Sequence, residues 1–201
     1  MCSRYSFNLT TMDLRFLGIN DDFCPSPVRH IAPGQQVWLV RLNAHNAPEL
    51  ARAKWGLVPP WLTDFSRAQI NARVETAATS SMFAEAWQSR RCLLLADSYY
   101  QWYMTPDNRR QLWRIKARDR ALLLMAGLWE RYPVDQSLSF DSCAVLTMPS
   151  LAPLRLIAQR MPVVLTPQQA VSWLSGAAIG ADDFVAALAG FAFHSQQIVS
   201  G

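Results

Sequence analysis

Lysine is nearly missing from this chain. Of its 19 basic residues only Lys54 and Lys116 are lysine, and the other 17 are arginine. No apolar run reaches the roughly 20 residues that a bilayer-crossing helix needs. The opening residues Met1-Cys2-Ser3-Arg4-Tyr5 lack the basic-then-apolar layout of a secretion signal, so a cytoplasmic protein without a membrane partner is expected. No C-x-x-C pair occurs: Cys2, Cys24, Cys92 and Cys143 are scattered, and so are His30, His45 and His194. That spacing supports neither a zinc site nor a disulfide framework, and no metal or cofactor is expected. Internal repeats, low-complexity tracts and long linkers are absent too, which makes residues 1–201 one domain. With 51% hydrophobic residues the chain has ample material for a core.

What is present is arginine and tryptophan. The net charge is +4 and the isoelectric point about 9.1. A planar guanidinium grips phosphate through two bonds and stacks on bases, which a lysine ammonium does not do. Eight tryptophans, among them Trp55, Trp61 and Trp102, offer faces on which unpaired bases could stack. Arginine usage also follows genomic base composition and tryptophan fills cores, so composition alone leaves both readings open.

One stretch stands out, Ile70-Asn71-Ala72-Arg73-Val74-Glu75-Thr76. Its amide, guanidinium and carboxylate do not read as an amphipathic face of period two or 3.6. It is expected to be a strand running into a helix that starts at Thr76-Ala77-Ala78-Thr79, with polar groups at the junction. A surface turn with Arg73 paired to Glu75 is the plain alternative.

Around it, Leu9 to Leu17 reads as a short helix, Asn20 to Pro27 as a loop, and His30 to Gly34 as a turn. Gln36–Arg41 reads as a strand. Lys54 to Leu62 is a stiff loop, because Pro59 and Pro60 fix φ and cannot join a ladder; it could present Trp61 and Leu62 outward as a wedge. Met82 to Trp87 has helical spacing. Strands are expected over 91–96, 99–103, 111–116, 121–128 and 139–146. Thr166-Pro167 caps a helix through Trp173, and a second short helix is expected over Asp182–Leu188. The sum is an α+β domain on twisted, mainly antiparallel, barrel-like sheets with short flanking helices.

Six pieces in this order resemble the SOS-response-associated peptidase (SRAP) family of abasic-site processing proteins. They are Met1-Cys2-x-Arg4-Tyr5, Ala32-Pro33-Gly34, Trp55-Gly56-x-x-Pro59, Asn71-Ala72-Arg73-x-Glu75-Thr76, Ala96-Asp97 before Tyr100-x-Trp102, and Arg160-Met161-Pro162. The resemblance implies a monomer that binds single-stranded DNA, captures abasic sites in the SOS response to DNA damage, and associates with the nucleoid when DNA-bound. It implies removal of Met1, so that the Cys2 α-amine forms a Schiff base with the abasic aldehyde and its sulfur closes a thiazolidine ring. An α-amine titrates near 7.7–8.0 and a thiol near 8.5 in free peptides, so both are expected to have a reactive fraction at neutral pH. Asn71 would orient the sugar or the Cys2 amine. Arg4, Arg73 and Arg160 would hold phosphates, and Trp61 with Leu62 would unstack the strand.

Two positions depart from the family pattern. Gln101 stands where the family has a catalytic glutamate, and Ala158 where it has a histidine. Neither side chain can transfer a proton. Glu75, Asp97 and His30 lie near motifs and are candidate substitutes. Two alternatives therefore stand beside covalent capture: a catalytically impaired domain that holds abasic or junction DNA without a bond, and a cysteine peptidase acting through Cys2, for which no Cys–His pair is evident.

Overall fold

In the computed structural model, residues 2–9, 12–19, 26–177, 184 and 191–198 are described. Thirteen strands organise them. In chain order these are β1 (Tyr5–Phe7), β2 (Val28–Ile31), β3 (Gln36–Leu42), β4 (Pro48–Trp55), β5 (Asn71–Arg73), β6 (Arg91–Ala96) and β7 (Ser98–Met104). There follow β8 (Arg110–Ala117), β9 (Leu123–Pro133), β10 (Ser139–Pro149), β11 (Arg160–Pro162), β12 (Val164–Leu165) and β13 (Phe193–Ile198). Among the described residues α1 (Ala84–Ser89) and α2 (Pro167–Leu174) flank them.

The strands β10, β4, β3, β6 and β9 pair in succession, and β9 pairs back onto β10, so the larger sheet closes on itself. Closure removes the edges of that ring. Its wall is antiparallel except where β10 runs parallel to β4 and to β5. The runs Arg91-Cys92-Leu93-Leu94-Leu95-Ala96 and Leu123–Leu128 are apolar because both of their faces are covered. Gly127 sits where a Cβ would run into Leu94 Cδ1 and the Ala144 carbonyl oxygen, so only glycine permits this packing. Beside the barrel lies a second sheet, ordered β13-β8-β7-β1-β2. Thr166 opens α2 with a capping box closed by Gln169, and Pro167 follows it as the sequence suggests.

Several expectations are corrected. Leu9 to Leu17 is not a helix among its described residues; only a single 3-10 turn, Arg15–Leu17, forms before Gly18 adopts a left-handed φ of 78°. The segment after Arg73 is a succession of turns, with Ala77 N–H bonded to the Arg73 carbonyl and Ser80 N–H to that of Thr76, and helix resumes only at Ala84. Val28–Ile31 is a strand where the sequence reading began a turn at His30, and the 121–128 and 139–146 strands extend to Pro133 and Pro149. Cys24, the first part of the Asn20–Pro27 loop, and the Asp182–Leu188 helix apart from Phe184 lie outside the described residues; Phe184 is buried against Trp173. No helix among the described residues is long and apolar enough to cross a membrane.

A candidate nucleic-acid groove beside the chain start

The central stretch is a strand face after all. Within β5, Asn71 and Arg73 are partly or fully open while Ala72 between them is buried, and the alternation runs on through the buried Val74 and exposed Glu75 of the following turn. Ile70 and Val74 disguise it, because they bracket the polar residues and Ala72 is too small to announce itself as core. β5 lies parallel to β10, with Asn71 opposite Val145 and Arg73 opposite Thr147. The entry to β5 is pinned by Trp55, whose indole N–H donates to the Ile70 carbonyl at 2.9 Å. Trp55 is fully buried against Tyr5 and offers no face to a base.

The chain start crosses from the smaller sheet to this strand. Tyr5 is buried in β1, and the Arg4 carbonyl accepts from Tyr100 N–H on β7. One turn of chain earlier, Asn71 Nδ2 donates to the Cys2 carbonyl at 2.8 Å. The other amide atom, Asn71 Oδ1, is buried and has no partner. A buried acceptor left unpaired costs about 1–3 kcal/mol, so this oxygen is poised for a donor. Asn71 thus meets Cys2, as expected, but through the backbone carbonyl.

Cys2 itself differs from expectation. It is fully buried, its sulfur donates to the Arg4 carbonyl, and burial pushes the thiol up to about 12. The sulfur is therefore protonated at neutral pH, without the thiolate fraction expected of an exposed chain start.

Beside the chain start, at Ser3, opens a groove of about 660 Å³ whose lining also includes Arg73, Gln101, Trp102, Arg110, Arg155, Ala158 and Arg160; Cys2 and Asn71 are not among its lining residues. Four guanidinium groups reach it, and Trp102 is half-exposed with the Arg110 guanidinium 5.4 Å from its ring centre. Gln101, by contrast, is buried, and its Nε2 donates to the Arg160 carbonyl at 3.0 Å. Ala158 brings only a methyl group to the wall.

Arg160 is less free than its motif suggested. Both terminal nitrogens bind Glu75, at 2.9 and 2.8 Å, and Nη2 also donates to the Thr147 carbonyl at 2.7 Å. That pairing holds the Glu75 carboxyl below the usual carboxylate range. Much of the arginine excess is likewise spent inside the fold: Arg41 binds Glu49 and Asp141, Arg90 binds Glu130, and Arg114 binds Asp97.

The wedge is half corrected. Leu62 N–H bonds back to the Pro59 carbonyl and its side chain is buried, so only Trp61 stays exposed. Trp61 and Arg4 are not among the groove's lining residues. The structure adds Arg110 and Arg155, which sequence reading passed over. Both stand at loop ends, one after the 105–109 turn and one in the 3-10 turn that begins at Leu154, and only the β7–β8 pairing and the turn's approach to β11 bring them together. Of the candidate proton carriers, Glu75 is held by Arg160, Asp97 by Arg114, and His30 lies against Tyr100. None of them bonds Cys2.

A family profile described as SOS response associated peptidase (SRAP) matches residues 1–198. The chain belongs to the SRAP family. It is 31% identical over 181 residues to the abasic site processing protein YoaM of Bacillus subtilis, covering 87% of this chain and 79% of that protein. To YedK of Escherichia coli, also named an abasic site processing protein, it is 30% identical over 181 residues, with 87% and 79% covered. A crystal structure of a protein from Bacteroides thetaiotaomicron superposes with a TM-score of 0.79 over 98% of this chain and 92% of that one, at 16% identity. The SRAP fold, a barrel-like sheet with short helices, is therefore shared.

Proposed function

We propose that this protein processes abasic sites by binding single-stranded DNA in the arginine-lined groove and linking to the lesion through Cys2 once Met1 is removed. The observation that carries this reading is the Asn71 amide, which holds the Cys2 carbonyl with one atom and leaves its buried Oδ1 unpaired for a donor such as a freed α-amine. Naming of the relatives as abasic site processing proteins supports the substrate class.

The chemistry balances without an oxidant. The Cys2 amine adds to the aldehyde of the ring-opened sugar, and the adduct loses one water to give an imine. The thiol then adds across the C=N bond, its sulfur to carbon and its proton to nitrogen, closing a five-membered ring. Only a chain-terminal cysteine can place both nucleophiles on one carbon. Arg73, Arg110 and Arg155 would hold phosphates on either side, and Trp102 would carry a neighbouring base. Recognition then depends on the missing base and not on sequence.

A specific pair of observations favours a second reading, non-covalent holding. The groove has Gln101 and Ala158 where proton carriers would serve, and the Cys2 thiol is buried and protonated. General acid–base help is worth about 10²–10⁴-fold, so capture should at least be slow. The peptidase reading gains nothing, since none of His30, His45 and His194 bonds Cys2 among the described residues.

The test is to mix the protein with single-stranded DNA carrying one abasic site and to run a denaturing gel. A retarded band, absent from the Cys2→Ala variant, is the expected result. A native-gel complex with no denaturation-resistant band after long incubation would replace capture by holding.

A further inference from the structure

The five strands of the smaller sheet carry no aspartate or glutamate at any position. The barrel strands, in contrast, include Glu49, Glu130 and Asp141. The sheet's inner face is set by the buried Tyr5, Tyr99 and Ile115, which pair across β1, β7 and β8. Alternation then assigns Trp102, Arg110, Arg114 and Lys116 to the outer face. On β7 and β1 that face is covered at Tyr100, Ser98 and Ser6, with His30 against Tyr100, so its open part runs along β8.

This face is continuous with the groove at one end. Trp102 and Arg110 belong to both. From Arg110 to Lys116 along β8 is about 20 Å at the usual strand rise. There the row enters a second hollow of about 430 Å³, lined by Asp97, Arg114, Lys116, Arg118, Asp119 and Arg120. Arg114 is anchored by Asp97 and by Ser98 Oγ, each at 2.8 Å, and Arg120 by Asp119 at 2.6 Å. Lys116 and Arg118 are exposed and pair with no carboxylate among the described residues. The result is a row with fixed cations, two uncompensated cations at its far end, and an aromatic at its near end. Spaced cations beside a stacking ring are what a flexible polyanion with bases requires.

We infer that the outer face of the five-stranded sheet is a second binding track for single-stranded DNA, taking the strand as it leaves the groove toward Lys116 and Arg118. This rests on the proposed DNA-binding reading of the groove and extends it. At the 3.4 Å per nucleotide of a stacked strand the track holds about six nucleotides, and fewer if the strand is stretched.

The test compares short and long strands on the full chain. Anisotropy titrations use thymidine strands of about 5 and about 15 nucleotides, the short one filling the groove alone. Replacing Lys116 and Arg118 together with glutamate should weaken the long strand about tenfold or more and leave the short one unchanged. The matched double alanine variant, which keeps the test alive should charge reversal impair folding, should flatten the salt dependence for the long strand by about 1.4 in log–log slope, two single-strand phosphate contacts' worth. Equal binding by wild type and variants at both lengths overturns the track and leaves the groove reading standing. A loss seen only when the long strand carries a duplex arm also overturns it, since the face would then serve duplex. Wild-type protein that binds neither strand sinks the groove reading and the track with it.

Discussion

The guanidinium of Arg160 is gripped by the carboxylate of Glu75 through two parallel bonds, 2.9 and 2.8 Å long, at the wall of the groove. A pair this well aligned withdraws one positive charge from any phosphate that enters. Arg160 keeps two further anchors on Thr147, its carbonyl and its hydroxyl, so it stays oriented without the carboxylate. Glu75→Gln should therefore raise affinity for single-stranded DNA several-fold and steepen the salt dependence by about 0.7, one released cation. Weaker binding by the variant would show instead that Glu75 is needed to aim the guanidinium. The pH sign follows from the lowered Glu75 carboxyl. Its contribution to stability is present above the ordinary carboxylate pKa and is lost only as pH falls through the lower folded value. This pair should consequently impose no pH dependence on binding near neutrality.

Gln101 and Ala158 make a direct prediction about rate. Gln101 is buried and gives its Nε2 to the Arg160 carbonyl. A glutamate there would meet a carbonyl oxygen in a desolvated site, which favours the protonated carboxyl. Gln101→Glu should thus supply a general acid near neutral pH, and Ala158→His a second carrier on the facing wall. Each change should speed formation or reversal of the covalent band, the pair together by about 10²-fold or more. Time courses on denaturing gels measure this, and no acceleration from either variant would mean that these positions do not face the reacting carbon.

The barrel was largely legible in the strand periods, because runs such as Arg91–Ala96 and Gln36–Arg41 carry their burial pattern openly. Its closure was not, since the parallel pairing of β10 with β4 and β5 joins segments some 70 to 90 residues apart and leaves no local mark. The short strands β1 and β2 escaped for a related reason: three or four residues are too few for alternation to show. Asn71, Arg73 and Arg160 came from family pattern, and the structure sets Arg73 and Arg160 on one groove while Asn71 holds the Cys2 carbonyl. The pattern said nothing of who holds whom. That Arg160 answers to Glu75, that Leu62 folds inward, and that Cys2 is buried are consequences of packing around Trp55, Pro59 and the chain start.

Arg90 and Glu130 offer a test of the fold away from DNA. Glu130 is almost fully buried on β9, and burial raises its carboxyl even though Arg90 Nη2 donates to it at 3.0 Å. Arg90→Ala would strand that carboxylate and should cost about 3 kcal/mol or more of unfolding free energy, with pH dependence as Glu130 takes up a proton. Arg90→Ala combined with Glu130→Leu should recover much of the loss, because the buried charge is then gone. Denaturant unfolding of both variants distinguishes this from a surface pair, for which neither change would exceed about 1 kcal/mol.

The buried Cys2 thiol carries a stability signature at high pH. Burial raises it from an ordinary 9.0 to about 12, and Cys92, Cys143, Tyr5 and Tyr99 are raised by the same cause. In the unfolded chain these groups lose their protons first, so the folded state binds more protons in that window. Stability is then unaffected below the ordinary thiol pKa and falls as pH rises from 9.0 toward about 12. Denaturant midpoints should drop steadily across that range. Cys2→Ala should make the drop shallower by one group, at little cost near neutrality if the small apolar side chain fits the same space. The same burial predicts that a thiol-specific reagent labels Cys2 in the folded protein far more slowly than in a free peptide, and that binding abasic DNA accelerates the labelling if the groove must open to let sulfur reach the sugar. Rapid labelling of Cys2 in the free protein would mean that the thiol is exposed in solution, and the alkaline loss assigned to it would then be absent.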